Sequence, residues 1–389
     1  MSDLSVNPSP EQDRSPEHKH RAPTPFEWRD PATIPPRQWL YGEHLIRKQV
    51  SATVAAGGVG KSSHSIVEAL AMVTGRELLG ERVPKPLRIW IYNLEDPLEE
   101  MERRVSATMM HHGIEAEELG DRLFLNTGRE RPLCTAVRGR DGIQILTPVV
   151  EELARLIRRH KIDVVIIDPF ISSHQVEEND NGAIDLVVKA WAKLADDCNC
   201  AVELVHHTRK ANGEASTSES SRGASAFLAA ARSGRVFNKM SEGDRAKAGL
   251  ENDHHSYFSI DRDKANFAPS GQRIWRRMVA VDLPNGDSVG VAETWEWPSR
   301  LDDIAAESLL AVQKAIDGKF PRYSDQSGEA WVGMIVAEVL ELDPVADRKR
   351  IKMFIENWIK DGALKKVDRM DDNRRNRPCI EVGEWVPET

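Results

Sequence analysis

The sequence predicts an α/β protein in which a doubly wound, mostly parallel central sheet is followed by a small α+β domain on the winged-helix plan. Three observations carry this. The runs Leu87–Leu94, Ile162–Asp168 and Ala201–Val205 are almost continuously apolar, as strands covered on both faces must be, and helical patterns alternate with them. A glycine-rich turn, Ala55-Ala56-Gly57-Gly58-Val59-Gly60-Lys61-Ser62, joins the first apolar run (Val50–Val54) to the first helical pattern. Beyond Pro298 the pattern changes to three helices and a hairpin.

A chain of 389 residues suffices for one large core and a smaller second domain. Residues 1–25, rich in Pro, Ser, Glu and His, are expected to be a disordered tail, residues 26–298 the core and 299–389 the second domain. No run of eighteen apolar residues and no signal-like N-terminus is present, so a cytoplasmic protein without membrane contact is expected. Cys134, Cys198, Cys200 and Cys379 form no CxxC pair, which suggests reduced thiols. The net charge of −9 argues against general attraction to nucleic acid, so any such contact must come from local basic patches.

Taken in order, Ile34–Tyr41 reads as an extended arm, with Trp39 or Tyr41 either stacking on a base or packing the arm down. A helix from Ser62 places Ile66, Ala69, Leu70 and Val73 on one face and stops near Gly75. The strand Leu87–Leu94 ends in Glu95-Asp96-Pro97, where a helix to His112 begins; a short strand follows at Arg122–Asn126, then a hairpin excursion within 129–147. The helix Pro148–His160 leads to Ile162–Asp168, an apolar strand ending in one acid, which is the Walker B pattern. An acidic loop (Glu177, Glu178, Asp180), a helix to Asp197 and the strand Ala201–Val205 ending in His206-His207 come next. Thr208–Ser221 reads as a polar loop, Ser221–Arg232 as a small-residue helix, and Gly234–Lys239, Tyr257–Ile260 and Ile274–Val281 as strands, with Ser241–His255 a surface insert. In the second domain, helices are expected over Leu301–Gly318, Ala330–Leu342 and Val345–Asp361, and strands over Ala363–Arg369 and Arg377–Val386.

The glycine-rich turn has the chemistry of a phosphate-binding P-loop, although Ala55 stands where such a loop usually opens with Gly. Its backbone N–H groups can surround phosphate oxygens, with Gly57, Gly58, Val59, Gly60, Lys61, Ser62 and Ser63 as the expected contacts. Lys61 brings a positive charge to the β/γ-phosphates and the Ser62 hydroxyl can ligate Mg²⁺, with Asp168 supporting the metal shell. Glu95 either orients and deprotonates an attacking water or caps the helix at Pro97. His207 is placed to sense the terminal phosphate. These residues fall at carboxyl ends of strands, where an open α/β sheet binds its ligand. The pairs His111-His112 and His254-His255 lack the flanking ligands of a metal site, and no nucleophile elbow is present.

The segments AAGGVGKSS, IYNLED, VVIIDPF, ELVHHTRK, SRGASAFLAAAR and DRDKANFAP together give the region from Trp39 to Val281 a clear character. It resembles the RecA-family ATPases of the RepA-like hexameric replicative helicase group. That resemblance implies a RecA-like core using ATP and Mg²⁺, with Glu95 as catalytic base, Asp168 as Walker B acid and His207 as sensor. It also implies a ring-shaped homo-oligomer in which Arg232 reaches the phosphates of the neighbouring subunit. Arg222 is the second candidate for that role, and Lys264 an added cation at the same interface; Arg232 read structurally is a helix cap. The loops 171–182 and 208–221 would face single-stranded DNA, yet the first is acidic and the second offers only Arg209 and Lys210. A stronger basic signal lies in the second domain, where Arg348, Lys349, Arg350 and Lys352 open the third helix and Arg374, Arg375 and Arg377 occupy the hairpin turn, where duplex DNA would meet them; the other reading is a solvated face on a protein-binding winged helix. The function expected is a DNA motor or remodelling ATPase, with a nucleotide-regulated DNA-binding switch as the alternative.

Overall fold

The computed structural model describes residues 23–140, 142–208, 222–248, 250, 256–265, 273–297, 306–371 and 374–386. The chain divides into two units, 1–38 and 39–389. In the first, the described residues are exposed and include a 3-10 turn at Pro31–Thr33, whose N-cap Asp30 accepts a hydrogen bond from the Ala32 N–H (2.9 Å).

The second unit begins with β1 (Trp39–Tyr41) and β2 (Leu45–Ile46), an antiparallel pair. Tyr41 is buried, so this aromatic anchors the chain and is not available to a base. Then come β3 (Val50–Ala56), α1 (Lys61–Thr74), β4 (Ile89–Asn93), α2 (Leu98–His112), the short α3 (Ala116–Leu119) and β5 (Leu123–Thr127). The excursion is the hairpin β6 (Ala136–Gly139) and β7 (Gly142–Ile145), followed by α4 (Thr147–His160), β8 (Val164–Asp168), α5 (Asn181–Cys198) and β9 (Ala201–Thr208). The core closes with α6 (Arg222–Ala230), β10 (Ser233–Lys239), α7 (Glu242–Ala248), β11 (Tyr257–Ala265), β12 (Ile274–Asp282) and β13 (Ser288–Thr294).

These strands form a nine-stranded sheet in the order β13-β12-β11-β10-β3-β9-β8-β4-β5. From β10 to β5 every pairing is parallel; β11, β12 and β13 add antiparallel strands on one side. The period-two side-chain alternation explains the unbroken apolar strands. Ile89 and Ile91 pack with α1 and α2 on one face, while Trp90 and Tyr92 pack with the α4–α5 layer on the other. The strand β9 lies between β3, which leads into the glycine-rich turn, and the acid-ended strand β8. That order holds the P-loop, Asp168 and His207 at one edge of the sheet.

Two differences from the sequence expectation matter. The insert 241–255 is not merely surface: α7 forms there, with the Ser241 hydroxyl accepting the Asp244 N–H (3.0 Å) and Ala248 buried. The strand β13 was not expected, because its short Gly-containing segment carries little apolar signal. The turn before it was the available cue, since Pro284-Asn285-Gly286-Asp287 is a hairpin signature and Gly286 has φ +92°.

Beneath α1 a buried polar network ties that helix to the sheet. The Arg235 guanidinium donates to both Glu68 oxygens (2.6 Å each) and to the Thr53 hydroxyl (2.7 Å), while Glu203 faces His44 at 3.0 Å. Burial alone would raise the Glu68 pKa, but Arg235 and His64 hold it well below the usual range. A buried carboxylate and guanidinium that satisfy one another in this way fix the register of β10 against β3 and the seat of α1.

The C-terminal region contains α8 (Ala306–Ile316), α9 (Val332–Val339), α10 (Arg348–Lys360) and the antiparallel pair β14 (Leu364–Met370) and β15 (Asn376–Val382). Val312, Ile316, Val332, Val336, Phe354 and Trp358 build its own core. Its helices are shorter than the apolar patterns suggested; residues 301–305 lie outside those described. Gly362, at φ +82°, lets the chain turn from α10 into β14.

Candidate active site at the carboxyl ends of the strands

The loop after β3 is shaped by its glycines. Gly58 and Gly60 have φ of +70° and +99°, and a Cβ on Gly60 would lie 2.9 Å from the Met278 sulfur. A side chain there meets both backbone strain and a steric clash. Gly60 is also the N-cap of α1 and supplies no side-chain cap, which leaves the first-turn N–H groups of the helix for an anion.

Lys61 opens α1 with its side chain folded back, the ammonium donating to the carbonyls of Ala56 (2.9 Å) and Ala55 (3.2 Å). Burial lowers its pKa to about 8, against the opposing pull of Asp168 and Glu95. The Ser62 hydroxyl donates to Asp168 Oδ2 (2.8 Å), and His207 Nε2 lies 3.3 Å from Asp168 Oδ1. Asp168 is itself buried at the end of β8. Three residues 106 and 39 positions apart in sequence thus form one hydrogen-bonded chain.

Glu95 follows β4 on a turn held by Asn93, whose buried side-chain carbonyl accepts the N–H groups of Glu95 (3.0 Å) and Asp96 (2.7 Å). Sequence reasoning missed Asn93, although Asn two residues before an acid at a strand end is a readable turn cue. The N-cap of α2 is Pro97, with no side-chain cap bond, so Glu95 does not cap that helix. Arg104 holds the next residue, Asp96, at 2.8 Å.

A cleft of about 650 Å³ gathers Gly58, Gly60, Lys61, Ser62, Glu95 and His207. Its far wall comes from the unexpected hairpin, through Met278 and residues 287–290. Ser63 lines it too, but its hydroxyl is engaged elsewhere, donating to the Gly290 carbonyl (2.8 Å) and accepting from the Ala292 N–H (3.1 Å). With the hydroxyl held by β13, the contact expected of Ser63 with a phosphate falls to its backbone N–H.

Arg232 does not belong to this cleft. Its N–H donates to the Val50 carbonyl (2.9 Å) at the opposite end of β3, and the following residue, Ser233, pairs with Ser51. Six strand residues at about 3.3 Å each put it roughly 20 Å from its own P-loop. The side chain is exposed. Lys239, which sequence reasoning passed over, instead ends β10 beside the P-loop. Arg209 and Lys210 lie outside the described residues, as do the side chains of Arg222 and Lys264.

In the C-terminal region the expected basic residues separate into two groups. Arg348 and Lys352 both reach Asp325, at 3.4 and 3.0 Å, and Arg377 reaches Asp371 at 3.2 Å. All of these basic residues are exposed, but Lys349, Arg350, Arg374 and Arg375 have no ion pair among the described residues, and the Arg350 guanidinium lies over the Phe354 ring. Among the described residues no helix is long and apolar enough to cross a membrane.

Residues 13–213, just over half of the 389-residue chain, match the profile of a family described as an AAA domain. The structure also has a likeness to one described as "Crystal structure of the RadB recombinase", with a TM-score of 0.38 and 11% sequence identity, covering 60% of this chain and 88% of that one.

Proposed function

The chain belongs to this AAA domain family, and on that premise we propose that it is an ATP-hydrolysing, oligomeric motor of RecA-like design that acts on DNA. The observation that carries the reading is the convergence of Lys61, Ser62, Glu95 and His207 on one cleft, with Asp168 hydrogen-bonded behind them. Strand order brings these separated segments to one cleft, and their chemistry is that of phosphoryl transfer to water.

Within this reading the first-turn N–H groups of α1 and the Lys61 ammonium bind the phosphates of ATP. The Ser62 hydroxyl and Asp168 carboxylate, 2.8 Å apart, are a hard-oxygen pair that fits Mg²⁺. When bound, the ion neutralises phosphate charge. Glu95 takes a proton from the attacking water, whose oxygen bonds to the γ-phosphorus as the bond to the β–γ bridging oxygen breaks, yielding ADP and phosphate. His207 joins the terminal phosphate to Asp168. The distance of Arg232 from its own P-loop supports a role in a neighbouring site, and with it a ring-shaped assembly, taken here as a hexamer. The three helices and the hairpin of the C-terminal region support a winged-helix domain for duplex DNA, with Lys349, Arg350, Arg374 and Arg375 offered to phosphates.

Hydrolysis should rise severalfold on adding single-stranded DNA and should drive strand displacement. Slow, unstimulated hydrolysis with tight binding to one duplex sequence would instead establish the alternative, a nucleotide-regulated DNA-binding switch. Shared sites have their own test. Mixing Arg232→Ala with Lys61→Ala should restore part of the turnover that each lacks, because one interface type regains both an intact P-loop and an intact arginine. Mixed assemblies that stay inactive would rule out a trans-acting Arg232.

A further inference from the structure

We propose that Lys239 is a second phosphate-binding cation of this cleft, acting within its own subunit; the proposal deepens the nucleotide-site reading above and rests on it. The sheet puts Lys239 there. Strand β10 runs parallel to β3 with Phe237 opposite Ala55, so the residue two further along ends its strand where the P-loop begins to turn. The Lys239 ammonium lies 4.0 Å from the position a Cβ would take on Gly58, a residue whose φ of +70° belongs to the phosphate-cradling turn.

The two lysines approach that turn from different elements and in different states. Lys61 is buried and bonded to the loop's own carbonyls. Lys239 is exposed, and no carboxylate among the described residues pairs with it. A long, strongly hydrated point charge of this kind costs little to keep in solvent and swings readily onto a multiply charged group. Phosphates seated on the first turn of α1 would bring about three to four negative charges within its reach.

The buried pair Arg235–Glu68 helps to fix the placement. It pins β10 to α1 four residues before Lys239, so the strand end and the phosphate helix are held as one body. Arg232 immediately precedes the other end of the same strand. One strand therefore carries a cation for its own site at its carboxyl end and is entered, seven residues earlier, by an arginine far from that site.

The test is ATP binding with Mg²⁺, measured by calorimetry on the full chain. Lys239→Ala should weaken ATP by about tenfold, the order expected of one charge-assisted hydrogen bond, and Lys239→Arg should stay within about threefold because the charge is kept. Wild-type affinity in Lys239→Ala, or equal loss in Lys239→Arg, overturns the proposal. A mixture of Lys239→Ala with Lys61→Ala should show no turnover beyond the sum of its parts; recovery would overturn the own-subunit assignment. Lys61→Ala serves as the control on the underlying reading. If it too binds ATP normally the nucleotide site itself is misplaced, whereas normal binding by Lys239→Ala alone removes only this inference.

Discussion

Lys61→Ala should raise the Kd for ATP at least a hundredfold, on the order of 3 kcal/mol. The size follows from what the side chain does. Its ammonium is buried at the root of the P-loop and bonded to the Ala55 and Ala56 carbonyls, so it is already positioned where phosphate oxygens would arrive. A prepositioned, desolvated charge opposite a polyanion is worth more than a surface lysine. Removing it leaves the Gly58–Gly60 turn and the α1 N-terminus in place, so the fold should melt at nearly the same temperature as the parent protein. Calorimetric titration of ATP, paired with a thermal melt, separates lost binding from lost structure. Unaltered ATP affinity in a folded variant would remove the site assignment altogether. The same group predicts a pH effect. Burial brings its pKa to about 8, so the charge is present at neutral pH and is lost as pH rises through that value. ATP affinity should fall over that interval, and the fall should be missing in Lys61→Ala.

How much of this was readable in advance depends on whether the signal was local. The P-loop, the apolar strand ending in Asp168 and the strand ending in His207 are each contiguous, and each could be placed from a short stretch of sequence. Their meeting point could be anticipated too, because parallel strands expose their carboxyl ends on one side of a sheet. What escaped was pairing across the fold. The strand β13 carries weak apolar alternation, and only its contact with α1 makes it part of the cleft and takes the Ser63 hydroxyl. Lys239 is an unremarkable lysine in a β-like run until the register of β10 on β3 brings it to Gly58. Arg232 was found by its motif, yet its distance from its own P-loop follows only from that same register. The basic stretch Arg348–Lys352 looks uniform in sequence; Asp325, more than twenty residues away, divides it into members that reach a carboxylate and members that do not.

Glu95→Gln should keep ATP binding and lose hydrolysis, by roughly 10²- to 10⁴-fold, the range for removal of a positioned general base. The substitution is nearly isosteric, and the turn that presents residue 95 does not depend on its carboxylate. Asn93 holds the backbone N–H groups of residues 95 and 96, the Arg129 guanidinium donates to the Glu95 carbonyl (3.0 Å), and Arg104 fixes Asp96. Pro97, not Glu95, is the N-cap of α2, so the variant loses no helix cap. With these contacts intact, the change confines itself to one oxygen facing the cleft. The amide can still accept a hydrogen bond from water but cannot take its proton, so ATP should accumulate unhydrolysed on the protein. Single-turnover measurement with ATP and Mg²⁺ reads this directly, since it reports chemistry without product release. Turnover equal to the parent protein would make Glu95 a bystander at the cleft. A matched loss of ATP affinity and rate would show that the carboxylate holds the ligand and does not activate water. Asn93→Ala offers the complementary reading, because it leaves the carboxylate but releases the turn beneath it. If position as well as basicity governs the step, that variant should lose rate while binding ATP, and should do so with Glu95 unchanged.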